Sequence, residues 1–130
     1  MKSRRRFSAL LLTLTLALTL TVPALAAADG AGFSDVDAAA PYAQAVQWAA
    51  DNGYVNGYRD GRFGVNDPVT RQQVAAILWR LAGSPDASGQ DYADESAIAA
   101  YARTAVDWCQ TNGILAGRED GRFAPADNAT

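Results

Sequence analysis

The sequence predicts an all-α fold made of tandem helix–loop–helix repeats, and three features of the chain lead there. The stretch NGYVNGYRDGRF at 52–63 returns as NGILAGREDGRF at 112–123, identical at seven of twelve positions. Apolar residues around both copies recur at i, i+3, i+4 and i+7, the spacing of one helical face. The periodic stretches are also bounded by helix start and stop signals, described below. The repeat is the strongest of the three. Its offset is 60 from Trp48 to Thr70, which answer Trp108 to Thr130. Upstream the offset is 59: Phe33-Ser34-Asp35 answers Tyr92-Ala93-Asp94, and Tyr42-Ala43 answers Tyr101-Ala102. One inserted residue near Thr104 accounts for the slip.

Residues 1–26 read as a secretory signal peptide. Lys2, Arg4, Arg5 and Arg6 are followed by an apolar run at 9–22 and by Ala24-Leu25-Ala26, a small-x-small cleavage site. The run is shorter than the ~20 residues a spanning helix needs. Residues 27–32 form a short linker, and 33–83 form the first repeat. Pro41 suits a first helical turn, where its missing N–H is harmless. Tyr42, Ala45, Val46 and Ala49 then mark the buried face of the first helix. Asn52-Gly53 stops it, because Gly accepts the left-handed conformation of a helix C-terminus. A loop rich in Gly, Asn and Asp runs over 53–69, with Asp60-Gly61 and Asp120-Gly121 as turn dipeptides. Phe63 and Phe123 are expected to tuck back onto the helices.

Thr70 opens the second helix as an N-cap, and Gln73 three residues on completes a capping box. Val74, Ile77, Leu78 and Leu81 mark its buried face, and Gly83 and Pro85 end it. Residues 84–91 read as an exposed linker. The second repeat, 92–130, places Ile98, Tyr101, Ala102, Ala105 and Cys109 on its first helix. Its last residue, Thr130, is the equivalent of Thr70, so this repeat is expected to be truncated before its second helix. A single helix–loop–helix cannot bury both faces of its helices, and such units need neighbours.

Charge and composition narrow the function. Without the signal segment, seven Arg face fourteen acidic residues, a formal charge of −7. Such a chain is repelled by nucleic acid and anionic membrane surfaces unless cations are gathered locally. Cys109 is the lone cysteine, which excludes an intramolecular disulfide and reads as a small buried hydrophobe beside Trp108. The chain has no His, the commonest general base and transition-metal ligand. Its serines lie outside any nucleophile-elbow pattern, and its carboxylates single out no catalytic pair. Residues 56–61 faintly echo a calcium loop, but Tyr58 and Asp67 stand where ligands would be required, and the second repeat begins with Ala116. Neither an enzyme nor a metal site is expected, and no cofactor.

One residue does offer recognition chemistry. Arg71 follows the N-cap, off the face marked by 74, 77, 78 and 81, so its guanidinium can stand beside the free N–H groups of a helix start. Those donors and the helix dipole favour anions, and the planar guanidinium grips carboxylates with two bonds. The alternative is an Arg paired with a local acid such as Asp35 or Asp67.

Phe33-Ser34-Asp35-Val36, the stretch 52–63, and Thr70-Arg71-Gln72-Gln73 together resemble the S-layer homology domain, as one whole unit over 33–83 and most of a second over 92–130. The resemblance implies a non-catalytic module, usually three units packed as a helical pseudo-trimer. It implies that such a module holds surface proteins to pyruvylated secondary polysaccharide on bacterial peptidoglycan, in grooves between units. The protein would then be secreted and kept at the cell wall, off the membrane once mature. The glycan-binding residues expected on this basis are Arg71, Thr70, Gln73, Tyr42, Asp35 and Gly57. Three departures stand out: Tyr42-Ala43 replaces the usual Trp-Ala, Gln73 the usual Glu, and Gly64-Val65 the usual x-Pro. The other readings of the residues are a structural or protein-interaction repeat, or the anchor of a longer surface enzyme.

Overall fold

The computed structural model describes residues 32–129. The signal segment, most of the first linker and Thr130 lie outside the described residues. Three helices carry the fold: α1 (Ala43–Asp51), α2 (Arg71–Leu81) and α3 (Arg103–Thr111). Short 3-10 turns at Glu95–Ala97 and Ala100–Ala102 precede α3, and no strand is present among the described residues. The all-α expectation holds, as do the stops: Asn52 caps α1, with Gly53 beyond it at φ +72°.

The first half of each repeat is built the same way. In the first repeat, Asp35 accepts from the backbone N–H groups of Phe63 at 2.6 Å, Gly64 at 2.7 Å and Val65 at 3.3 Å. In the second, Asp94 accepts from Phe123 at 2.7 Å and Ala124 at 2.8 Å. Each carboxylate thereby pins a loop of some thirty residues back on its own start. Phe33 and Phe63 pack with ring centroids 5.5 Å apart, and Tyr92 and Phe123 repeat the contact at 5.4 Å. Gly57 passes beneath this aromatic pair at φ +64°. A Cβ there would strike the Phe33 ring and stand 2.7 Å from the Arg62 carbonyl oxygen. Only glycine fits.

The helices do not pair within a repeat. α2 packs against α3 and the Ala100–Ala102 turn, whereas α1 touches neither α2 nor α3. The second helix of repeat one therefore completes the core of repeat two. That core contains Ala75, Ala76, Tyr92, Ile98, Ala102, Ala105, Val106, Cys109 and Phe123, flanked by Trp79, Trp108 and Leu115. A smaller cluster under α1 joins Val36, Ala43 and Val46 to Phe33, Phe63 and Val65. Phe123 is fully buried and Phe63 partly so, as expected of both.

Three expected faces are corrected by this arrangement. On α2 the buried residues are Ala75 and Ala76, while Val74, Ile77 and Leu78 are half-buried and Leu81 is exposed. Small side chains let α3 approach closely: Cys109 Sγ comes to 4.0 Å from the Ala75 carbonyl. On α1, Val46 is buried as expected, but Tyr42 and Ala45 are exposed and Ala49 is half-buried, and Ala43 is buried in their place. The matching α3 residues, Ala105 and Cys109, are fully buried because α2 covers them. Among the described residues α1 lacks such a cover. Tyr101, expected in the core, lies in a 3-10 turn and is 50% exposed. Ile98, Ala102, Ala105 and Cys109 are buried as expected, and burial pushes the Cys109 thiol pKa up.

The 84–91 segment is irregular and mostly exposed, yet it is tied down. Trp79 Nε1 donates to the Pro85 carbonyl at 2.8 Å, and Gln90 N–H donates to Gln110 Oε1 at 2.8 Å. It thus runs back along α3 instead of swinging free.

Because close approach at the alanines sets the α2–α3 contact, Ala75→Leu is expected to lower unfolding free energy by about 1–3 kcal/mol through overpacking. Leu81→Ala, on the exposed side, is expected to stay within about 0.5 kcal/mol of wild type. Urea denaturation compares the two, and the reverse order would refute this description of the core.

Candidate functional site

Two places on the molecule can recognise a ligand, and α2 contributes to both. The first is its N-terminus. Thr70 and Gln73 form the expected capping box. Its firm half runs from Thr70 N–H to Gln73 Oε1 at 2.8 Å. The other half is looser, since the Thr70 hydroxyl is buried without a bond of ordinary geometry. The donors ahead of the helix are turned toward repeat two. Arg71 N–H donates to the Asp127 carbonyl at 2.9 Å and Gln72 N–H to the Pro125 carbonyl at 3.1 Å.

The Arg71 side chain follows the same direction. Its Nε donates to the Phe123 carbonyl at 2.9 Å and its Nη2 to the Ala116 carbonyl at 2.6 Å. Its guanidinium lies 4.8 Å from the centre of the Phe123 ring. No acid pairs with it among the described residues, so its partners are neither Asp35 nor Asp67 but backbone carbonyls that spacing could not reveal. The helix start and its arginine form a clasp between repeats, and among the described residues Nη1 has no acceptor.

The second place is a groove of about 1010 Å³ between the loop of repeat one, the flank of α2 and the Ala100–Ala102 turn of repeat two. Tyr58, Arg59 and Asp67 line it from the loop, Gln73 and Arg80 from α2, and Tyr101 from the turn. Tyr58 is 37% exposed, and Gln73 Nε2 reaches to 3.5 Å from its hydroxyl. Arg80 is held by a bond from Nη1 to the Tyr54 carbonyl at 3.1 Å. Burial pushes the Tyr101 phenol up, and the nearby positive charge of Arg80 draws it back. At this size the groove is at the upper end of small-ligand sites.

The six residues expected from sequence are thus divided. Gly57 and Gln73 line the groove, and Thr70 and Arg71 stand in the clasp. Asp35 is the loop clamp, and Tyr42 stands exposed at the start of α1. Sequence reasoning missed Arg59, Arg80 and Tyr101 as groove residues, and it weighed Tyr58 only as a calcium ligand. The spacing of Arg80 and Tyr101 holds no signal, since they meet only because the 84–91 segment doubles back.

What these features define is a helical module built from two repeats. The chain belongs to the S-layer homology domain family, whose model matches residues 32–75 and 91–130, one stretch over each repeat. It is 32% identical over 98 residues to a cell surface protein of Thermoanaerobacter kivui, covering 72% of this chain and 13% of that protein. It is 32% identical over 90 residues to the surface-layer 125 kDa protein of Lysinibacillus sphaericus, covering 67% and 8%. An endoglucanase of Bacillus sp. (strain KSM-635) matches at 32% over 91 residues, covering 65% and 10%. The chain thus spans about a tenth of the length of these relatives. No solved structure matches it.

Two outcomes are expected from these contacts. Arg71→Ala should cost about 2 kcal/mol of stability, as a cation loses two carbonyl partners and an aromatic face. Arg71→Lys should recover part of it, since an ammonium cannot span both carbonyls as a fork does. Unchanged urea midpoints for Arg71→Ala would refute the clasp. The second concerns Asp35. Burial raises its carboxyl pKa, but the N–H groups of Phe63, Gly64 and Val65 outweigh this and hold it below the usual carboxylate range. A depressed carboxyl contributes stability above its unfolded pKa and loses it as pH falls through the folded value. Thermal melts should therefore weaken below about pH 4, less steeply in Asp35→Asn. Asp60 and Asp120, held down by Arg62 and Arg122, keep some slope in the variant. Equal slopes would show that Asp35 carries none of it.

Proposed function

We propose that this chain is a non-catalytic anchoring module that holds a secreted protein on the bacterial cell wall, at the cell surface. The observation that carries the reading is the match of both repeats to the S-layer homology domain. Two relatives are named as surface proteins, and a third as an endoglucanase that shares the module over a tenth of its length. One module joined to such different proteins fits an anchor rather than a catalyst. Residues 1–26 act as the export signal, and 33–83 and 92–130 as the two repeats.

The ligand proposed is pyruvylated secondary cell-wall polysaccharide on peptidoglycan. The groove supports it through exposed tyrosine faces, on which sugar rings can stack, and through cationic side chains for the ketal carboxylate. Gln73 and Gly57 belong to this groove. Thr70 and Arg71 bound its neighbour, where Nη1 of Arg71 can reach an anion, while Asp35 holds the loop in place and Tyr42 offers an outlying aromatic ring. Purified walls should retain the chain in a sedimentation assay and lose it after chemical removal of pyruvate. Equal retention on both walls would sink the reading.

One observation favours a second reading, in which the repeats serve to pack on other repeats. Ala45, Trp48 and Ala49 of α1 match the α3 residues Ala105, Trp108 and Cys109, yet Trp48 is 57% exposed. Self-association in sedimentation velocity, with a blue shift of tryptophan emission and no wall binding, would favour it over glycan recognition.

A further inference from the structure

The arginine expected to meet an anion is already engaged, which raises the question of where a negative charge would be read. Seven arginines follow the signal segment. Arg62, Arg118 and Arg122 are neutralised by ion pairs with Asp60, Asp67, Asp127 and Asp120. Arg71 has two of its donors in the clasp. Arg59, Arg80 and Arg103 are without an acid partner among the described residues, and two of these, Arg59 and Arg80, line the same groove. The carboxylate lining that groove, Asp67, shares Arg62 with Asp60, at 3.5 Å and 2.9 Å. In an otherwise acidic chain, this groove and its rim keep a net positive charge, with Arg59, Arg62 and Arg80 against Asp60 and Asp67.

Its walls add a second requirement. Tyr58 and Tyr101 are 37% and 50% exposed, so each offers a ring to a flat apolar ligand face beside the cations. Arg62 lies 5.4 Å from the centre of the Tyr58 ring and helps to fix it. Arg80 uses one nitrogen on the Tyr54 carbonyl, which orients the guanidinium and leaves its other donors for a ligand. Aromatic faces set among cations suit a carbohydrate that carries a negative charge. A neutral glycan would leave the arginines without partners, and a bare anion would leave the rings unused.

We infer that Arg59 and Arg80, set between Tyr58 and Tyr101, are the residues that read the negative substituent of the glycan. This rests on the glycan-binding reading above and assigns within it the charge-sensing part. Arg71 then has a positioning role as well: by clasping repeat two it keeps Tyr101 on the same groove as Tyr58. Binding strength should fall steeply with salt, since the contact is a charge-assisted one near the surface.

The test compares the wild-type chain with Arg59→Gln, Arg80→Gln and the double variant. Titrations use purified pyruvylated wall polysaccharide and the same material stripped of pyruvate, at low and high salt. Arg80→Lys and thermal melts check that loss of the Tyr54 contact has not unfolded the groove. The double variant is expected to lose roughly tenfold to a hundredfold in affinity for the charged glycan. Its salt dependence should flatten, and it should bind the stripped glycan as wild type does. If wild type binds the charged glycan and the folded double variant matches it in affinity and salt dependence, the assignment is overturned and anchoring stands. A wild type that ignores both glycans overturns the anchoring reading, and this assignment with it.

Discussion

The seating of the α2 N-terminus on the loop of repeat two is the contact on which the rest of this molecule depends. Four donors from Arg71 and Gln72 meet four carbonyls of that loop, and the guanidinium covers the Phe123 ring. Free N–H groups at a helix start must find acceptors, and here another repeat supplies them. Once α2 is seated, Ala75 and Ala76 fall against α3 and close the larger core. The groove follows too, because its walls belong to different repeats.

Each loop is prepared for that contact by its own carboxylate. Asp35 and Asp94 organise successive backbone N–H groups at the loop phenylalanine, leaving carbonyls of the same stretch free to face outward. In repeat two those carbonyls receive α2. In repeat one the equivalent surface borders the groove. The same folded phrase is thus a socket for a helix in one place and the border of an open groove in the other. Repetition with an offset partner produces both from one sequence pattern.

Much of this was legible in the chain. Helix α2 was readable to its ends, because Thr70, Gln73 and Gly83 act through local backbone chemistry. The burial of Phe63, Phe123 and Cys109 could be anticipated from their types and positions. Helical periodicity fared worse. It marked Val74, Ile77, Leu78 and Leu81 on α2, although two alanines make the close contact. Hydrophobicity ranks side chains by what they gain on burial, whereas helix approach favours the smallest ones. On α1 the periodic face was that of its repeat partner α3, but only α3 has α2 against it.

The candidate site shows the same division. By itself, the sequence determined the repeat, the helix ends, the loop turns and the family, since these rest on local backbone preferences and ordered motifs. Arg71 could be singled out as a helix-start cation for the same reason. Only the tertiary structure decided what Arg71 touches, which alanines pack, and that Arg59 and Arg80 share a groove with Tyr58 and Tyr101. Spacing along a chain encodes which face of an element a residue occupies. It does not encode which element comes to lie against that face, and here α2 of repeat one finds its partner, α3, in the other repeat.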